Sequence, residues 1–279
     1  MFEVFLILYL VAFSCSLMGS ILVLRNQSML ADALSHSVLL GIVLGFFVSH
    51  SLDSPLLMMG ASLFGVLSVL GIDALHSRKV NHDAATGLIF SFFFALAVIL
   101  ISLFARNVHL DLDMVLMGEV LFAPLHRVDI LGLSIPVALF KSALLLFINA
   151  TFFAFVYQPL KLFLFDERQA RLSGIKVKGL QLLILFLVSL TTVLSFEAIG
   201  SMTVIVFLVA PSMVALPWSK SFGQLLFLGL VVALGNVCLG YLLAWTFDLT
   251  MSGTCAVVCL LIFCVSHFLK NTLKTKSGK

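Results

Sequence analysis

LADALSHSVLLGIVLGFF, residues 30–47, opens a long apolar run yet places Asp32 and His36 near the start of that run. A helix that crosses a bilayer needs about 20 mostly apolar residues, and this run has that length. Ionisable side chains inside a span are costly, and they face a bundle interior or a water-filled path. The stretch therefore predicts a membrane helix with a polar pair that needs a reason to be there.

The rest of the chain agrees with a membrane setting. Of 279 residues, 62% are hydrophobic and 10% charged, with 27 Phe, against roughly 45–50% apolar and about 25% charged in soluble domains. Nine runs reach or approach spanning length: 4–24, 30–49, 55–75, 84–104, 130–156, 179–195, 199–216, 222–246 and 251–269. The expected fold is an all-α polytopic integral membrane protein with about nine transmembrane helices, eight being the alternative. The sixth and seventh runs are short and parted only around Phe196-Glu197-Ala198, so broken or tilted helices are expected there. No polar linker divides the chain, which reads as one transmembrane domain over residues 1–279. No basic segment precedes the first run, which is also too long for a cleavable signal.

Charge gives an orientation. With the N-terminus outside, the inner segments hold 13 of the 16 Lys and Arg. The outer loops hold only Arg106 and Arg127, and Lys141 falls within the fifth run. Positive residues accumulate on the cytoplasmic side, so the C-terminus is expected inside. Lys141 is expected to snorkel outward along its long span. A net charge of +3 with scattered basic residues offers no surface for nucleic acid. The five cysteines all lie in apolar runs without a CxxC pair and read as packing residues.

One inner segment is longer and more charged than the others. QPLKLFLFDERQARLSGIKVKG, residues 158–179, sets Phe163 and Phe165 beside Asp166, Glu167, Arg168 and Arg171, with Gly174 as a helix stop. A short surface helix with apolar anchors and a charged face suits docking onto a soluble partner. A plain interfacial helix in a positive loop fits the same pattern.

Asp32 and His36 stand at i and i+4, so their side chains share one helix face. Ser35 is their neighbour. Gly41 and Gly45 follow at a spacing that lets another helix approach closely. A carboxylate and an imidazole supply two ligands suited to Mn, Fe or Zn rather than Cu(I). The pair alone is an incomplete site, which suits a permeation path where an ion must also leave. Read from the residues alone, metal or proton handling and a neutral Asp–His bridge between helices both remain open.

LRNQSMLADALSHSVLLG, residues 24–41, resembles the signature of the bacterial manganese/zinc/iron ABC-importer permease family, D-A-x-S-H-[AS]-V-L-P-G. Asp32, Ala33, Ser35, His36, Ser37, Val38, Leu39 and Gly41 are in register. Leu40 replaces the usual proline. Further segments are similar in the same order. HDAATGLIFSFFFALAVIL resembles a D-x-x-x-G stretch through Asp83 and Gly87. LFLFDERQARLSGI resembles the coupling segment through Phe165, Asp166, Ala170, Gly174 and Ile175. IGSMTVIVFLVAPSMVA carries Gly200, Leu208 and Pro211, and DLTMSGTCAVV carries Asp248 and Gly253.

The resemblance implies a permease subunit of an ATP-driven importer in the cell (inner) membrane. It also implies a cytoplasmic ABC ATPase, an extracytoplasmic metal-binding protein and a second permease subunit as partners, within the lipid bilayer. Asp32 and His36 map onto the family's metal-coordinating residues. Phe163 to Gly174, with Glu167 and Arg168, maps onto the segment that passes ATPase motion to the helices. The chain has no G-x-x-x-x-G-K-[ST] phosphate loop, so it is read as no enzyme in itself and ATP as the partner's. No permanently bound cofactor is expected; the transported Mn, Zn or Fe is cargo. Imidazole must be unprotonated to bind metal, so uptake is expected to weaken in acid.

Weaker candidates surround these. Outer-loop His109, Asp111 and Asp113 alternate in NVHLDLDM and suit the gathering of cations or contact with a binding protein; a solvated loop is the plainer reading. Glu197 lies where it can line an entrance. Asp73 and His76 stand at i and i+3 near the inner end of the third span, read as interfacial rather than as an exit path, and His82 reads as a loop residue. Rival functions are an ATP-independent carrier or channel using the same Asp–His pair, an intramembrane metalloenzyme, and a permease for metal chelates. The enzyme would need three protein ligands and a general base, and HExxH is absent.

Overall fold

A computed structural model describes residues 2–50, 55–77, 79–104, 120, 123, 127–130 and 133–277. Helices dominate: α1 (Phe2–Leu24), α2 (Met29–Ser49), α3 (Pro55–Leu75), α4 (His82–Phe104), α5 (Val137–Phe165), α6 (Glu167–Leu172), α7 (Val177–Ile199), α8 (Ser201–Ala215), α9 (Phe222–Phe247) and α10 (Met251–Ser277). A 3₁₀ turn, Leu216–Trp218, extends α8. Among the described residues, eight helices are long and apolar enough to cross a membrane, and α3 contributes a shorter apolar stretch, Met59–Leu75. Each of the nine apolar runs thus contains one long helix.

Two local expectations change. The fifth run does not begin as a helix. Residues Arg127–Ile130 (β1) and Leu133–Pro136 (β2) pair antiparallel as a hairpin, with Arg127 opposite Pro136. Pro136 then precedes the first helical residue, Val137, as suits a residue with fixed φ and no N–H to leave unpaired. Lys141 therefore sits in the first two turns of α5, not deep in a span. Instead of snorkelling alone, its ammonium meets Glu197 of α7, at 2.6 Å from Oε1 and 2.8 Å from Oε2. The second change concerns the sixth run. α7 is unbroken for 23 residues, through Glu197. The interruption is confined to Gly200, whose φ of 79° only glycine adopts at little cost.

α1 is the centre of the larger helix group and packs against α5, α7, α8 and α9. Close approach makes this packing tight: a Cβ on Gly19 would lie 1.5 Å from the Leu208 carbonyl oxygen of α8. Buried Asn149 of α5 ties three of these helices together, its amide donating to Ser14 Oγ of α1 at 2.6 Å and to Thr191 Oγ1 of α7 at 2.9 Å. α2, α3 and α4 form a second group. The two cores merge through Leu30, Leu34, Val69, Ile72 and Ile89 near the Arg25 end of the molecule. Farther along, α2 and α4 share a small core of their own at Leu39, Leu40, Val43 and Ala97. α3 meets α7 along the seam between the groups. The opposite end carries Glu3, whose carboxylate takes a hydrogen bond from Arg127 of the hairpin at 2.7 Å.

Candidate metal site

The α1–α2 connection is short and well determined by its own hydrogen bonds. Asn26 adopts φ 55°, a left-handed conformation that Asn tolerates better than most residues. The Asn26 N–H donates to the Val23 carbonyl at 3.1 Å and the Gln27 N–H to that of Leu22 at 2.8 Å. These bonds close α1 and start α2 at Met29, placing Asp32 in the first turn of α2, where the helix dipole favours a carboxylate. The Ser35 hydroxyl donates back to the Asp32 carbonyl at 2.7 Å, so it occupies itself with its own helix rather than with the pair.

His36 Nε2 and Asp32 Oδ1 face one another at 3.6 Å, too far for a hydrogen bond. They present a nitrogen and an oxygen lone pair to a common space. The imidazole is 35% exposed and the carboxylate 48%, whereas the neighbouring polar side chains Ser35 and Ser37 are buried. On the protein side the His36 ring is fixed by Phe94, edge-on at 5.2 Å, and by Phe90 at 5.7 Å, both from α4. The buried Nδ1 has no hydrogen-bond partner among the described residues, leaving Nε2 as the nitrogen that faces outward. Among the described residues, no group of three or more His, Cys, Asp or Glu is placed to hold a metal ion. Two donors with open space beside them can accept a partly hydrated divalent cation and release it.

Gly41 fulfils its expected part. A Cβ there would stand 2.1 Å from the Gly60 carbonyl oxygen of α3, and one on Gly60 would stand 2.2 Å from the Gly41 oxygen. α2 and α3 thus touch backbone to backbone just beyond the pair. Leu40, at the family's proline position, is buried in an α2 that continues without a break.

The segment 158–179 is mostly helical. α5 runs on to Phe165 and Asp166 caps α6, its carboxylate accepting from the Gln169 N–H at 2.8 Å. The Ile175 N–H returns to the Ala170 carbonyl at 3.1 Å, and Gly174 ends α6 at φ 79°. Glu167 and Arg171 pair on the surface, beside exposed Arg168. Phe163 and Phe165 part company. Phe163 is buried beneath the Arg25 guanidinium, 4.4 Å from the ring centre, whereas Phe165 and Leu172 are exposed at 63% and 83%. Burial draws the Arg25 pKa below its ordinary value, against the opposing pull of Glu167 and Asp73.

Other candidates are placed as follows. His109, Asp111 and Asp113 lie outside the described residues. Glu197 is ion-paired to Lys141. Asp73 accepts from the Gln181 amide at 2.7 Å. His82 is the first residue of α4 rather than a loop residue, with Gln27 at 3.0 Å and the His76 ring 5.9 Å away.

The sequence pattern of the ABC 3 transport family matches residues 1–271. The manganese transport system membrane protein MntD of Bacillus subtilis (strain 168) is 38% identical over 250 residues, which are 89% of this chain and 85% of that one. The zinc transport system membrane protein TroD of Treponema pallidum (strain Nichols) is 40% identical over 210 residues, 75% of this chain and 57% of that one. A solved structure, PsaBC from Streptococcus pneumoniae in complex with Fab, superposes with a TM-score of 0.79 at 23% identity, covering 98% of this chain and 94% of that one; it supports the helical architecture. On this evidence the chain belongs to the ABC 3 transport family, as a multi-pass membrane permease subunit of its metal transporters.

Proposed function

We propose that this chain is the membrane-spanning subunit of an ATP-driven importer of Mn, Zn or Fe, with Asp32 and His36 as the transient resting place of the ion. The observation that carries this is the facing of Asp32 Oδ1 and His36 Nε2 across 3.6 Å on a half-exposed stretch of α2. Relatives named for manganese and zinc transport support a divalent transition ion as cargo. The ion arrives from an extracytoplasmic binding protein and enters between this chain and a second permease subunit. It leaves to the cytoplasm when a separate ATPase drives the helices to an inward-open arrangement. The count of Lys and Arg supports placing the Arg25 end in the cytoplasm, where α6 offers exposed Phe165 and Leu172 to the ATPase. An ATP-independent carrier would have no use for that docking face, and ATPase co-purification distinguishes the two.

The test is radiolabelled Mn and Zn uptake in cells that supply the cognate ATPase and binding protein, with wild type, Asp32→Ala and His36→Ala at matched membrane levels. Uptake is expected to fall by at least tenfold in each variant while the ATPase still co-purifies. Survival of uptake in both would make the pair structural and overturn the assignment.

A further inference from the structure

Between α8, α9 and α10 runs a groove of about 550 Å³. Leu239, Leu242, Leu261, Val265 and Leu269 line it with aliphatic surface, and Trp218 and Ser266 stand at the end nearer Arg25. Leu242, Leu261 and Val265 are each more than half exposed, at 56%, 56% and 57%. Within this chain, nothing described covers that face. At the mouth, the Trp218 indole N–H donates to Ser266 Oγ at 2.7 Å, and the Lys270 ammonium bonds the Pro217 carbonyl. Lys220 is exposed two residues beyond Trp218.

We infer that this groove holds one acyl chain of an anionic phospholipid, with Lys220 and Lys270 meeting its phosphate. Charge complementarity is the first argument. The corner at residues 216–222 and the sequence from 261 to 279 carry five lysines and one histidine and no acid. Juxtamembrane basic residues attract anionic lipid, each worth about a fivefold gain in affinity. Length is the second. The lining of α9 extends from Leu228 to Leu243, about 22 Å at 1.5 Å per residue, enough to span one leaflet of a hydrocarbon core about 30 Å thick. The third is the tryptophan at the mouth, where amphipathic rings mark the headgroup level. A second copy of the chain fits this face poorly. Two-fold packing about the membrane normal brings the same patch of each subunit together, here setting one lysine cluster against another.

The experiment exchanges the purified permease complex into nanodiscs of equal phosphatidylglycerol and phosphatidylcholine, then counts retained lipids by native mass spectrometry. Wild type is expected to keep phosphatidylglycerol in preference. Lys220→Gln with Lys270→Gln is expected to lower that preference by about 25-fold, fivefold for each lysine, while Lys178→Gln, a distant exposed charge, leaves it unchanged. Val265→Trp fills the groove and is expected to lose the lipid altogether. Equal retention of the two lipids by wild type, or an unchanged preference in the double variant, would overturn the inference. So would a photoreactive side chain at position 265 that captures a second permease copy instead of lipid.

Discussion

Gly41 and Gly60 show how little room a single residue has in this protein. Each would drive a Cβ to within 2.2 Å of the other's carbonyl oxygen, and the obstacle is backbone, which cannot rotate aside as a side chain can. Gly41→Val is therefore expected to pry α2 from α3 and destabilise the fold by about 3 kcal/mol, the upper range for overpacked sites. A thermal-shift assay on the purified complex checks this. Gly235, with nothing within 4 Å of its Cβ position, is the control, and Gly235→Ala is expected to leave the melting temperature unchanged or slightly raised. The nearness of this contact to His36 means that backbone packing and the placement of the candidate site are one problem: a shift of α2 moves the imidazole with it.

At the scale of elements, α5 and α6 form one continuous device. α5 is 29 residues long, about 44 Å by helix rise, so it exceeds an approximately 30 Å hydrocarbon core and carries α6 out of the membrane. Asp166 caps the joint, Phe163 and Ala170 anchor it inward, and Phe165 and Leu172 face out. Replacing Phe165 and Leu172 together by Ser is expected to reduce ATPase co-purification several-fold while leaving permease abundance in the membrane unchanged, which affinity capture and immunoblotting measure. This element was partly legible in the sequence. Gly174 marked its stop, but the capping by Asp166 was not read, and the opposed facing of Phe163 and Phe165 needed the knowledge that α5 continues, since residues two apart differ by about 200° around a helix. Asp32 and His36 were legible as a pair because i,i+4 spacing fixes their common face. The Lys141–Glu197 bridge was not, because 56 positions separate its members and no local pattern joins them. The hairpin ahead of α5 was hidden by its own apolar residues, although Gly132 and Pro136 were there as breakers.

The whole molecule is two helix groups, one wound about α1 and one made of α2, α3 and α4. The positive residues gather at the Arg25 end, so a green fluorescent protein fused after Lys279 is expected to fluoresce and an alkaline phosphatase at the same place to stay inactive. The reverse pattern would invert the proposed direction of transport. The candidate metal pair belongs to the smaller group and α6 to the larger, and the groups meet where α2 and α3 pack on α7 and where Arg25, just ahead of α2, lies over Phe163. Under the proposed function, motion begun at α6 reaches Asp32 and His36 through these contacts. At the α3–α7 contact Gly65 faces the Ser189 hydroxyl: a Cβ on Gly65 would lie 2.2 Å from that oxygen, which would have to turn aside. Interlocked leucines must climb out of each other before two helices shift, whereas a hydroxyl lying on bare backbone has no notch to leave. Under the proposed function, this one point of the boundary is expected to behave as a plain bearing, offering less resistance to sliding than the leucines that flank it.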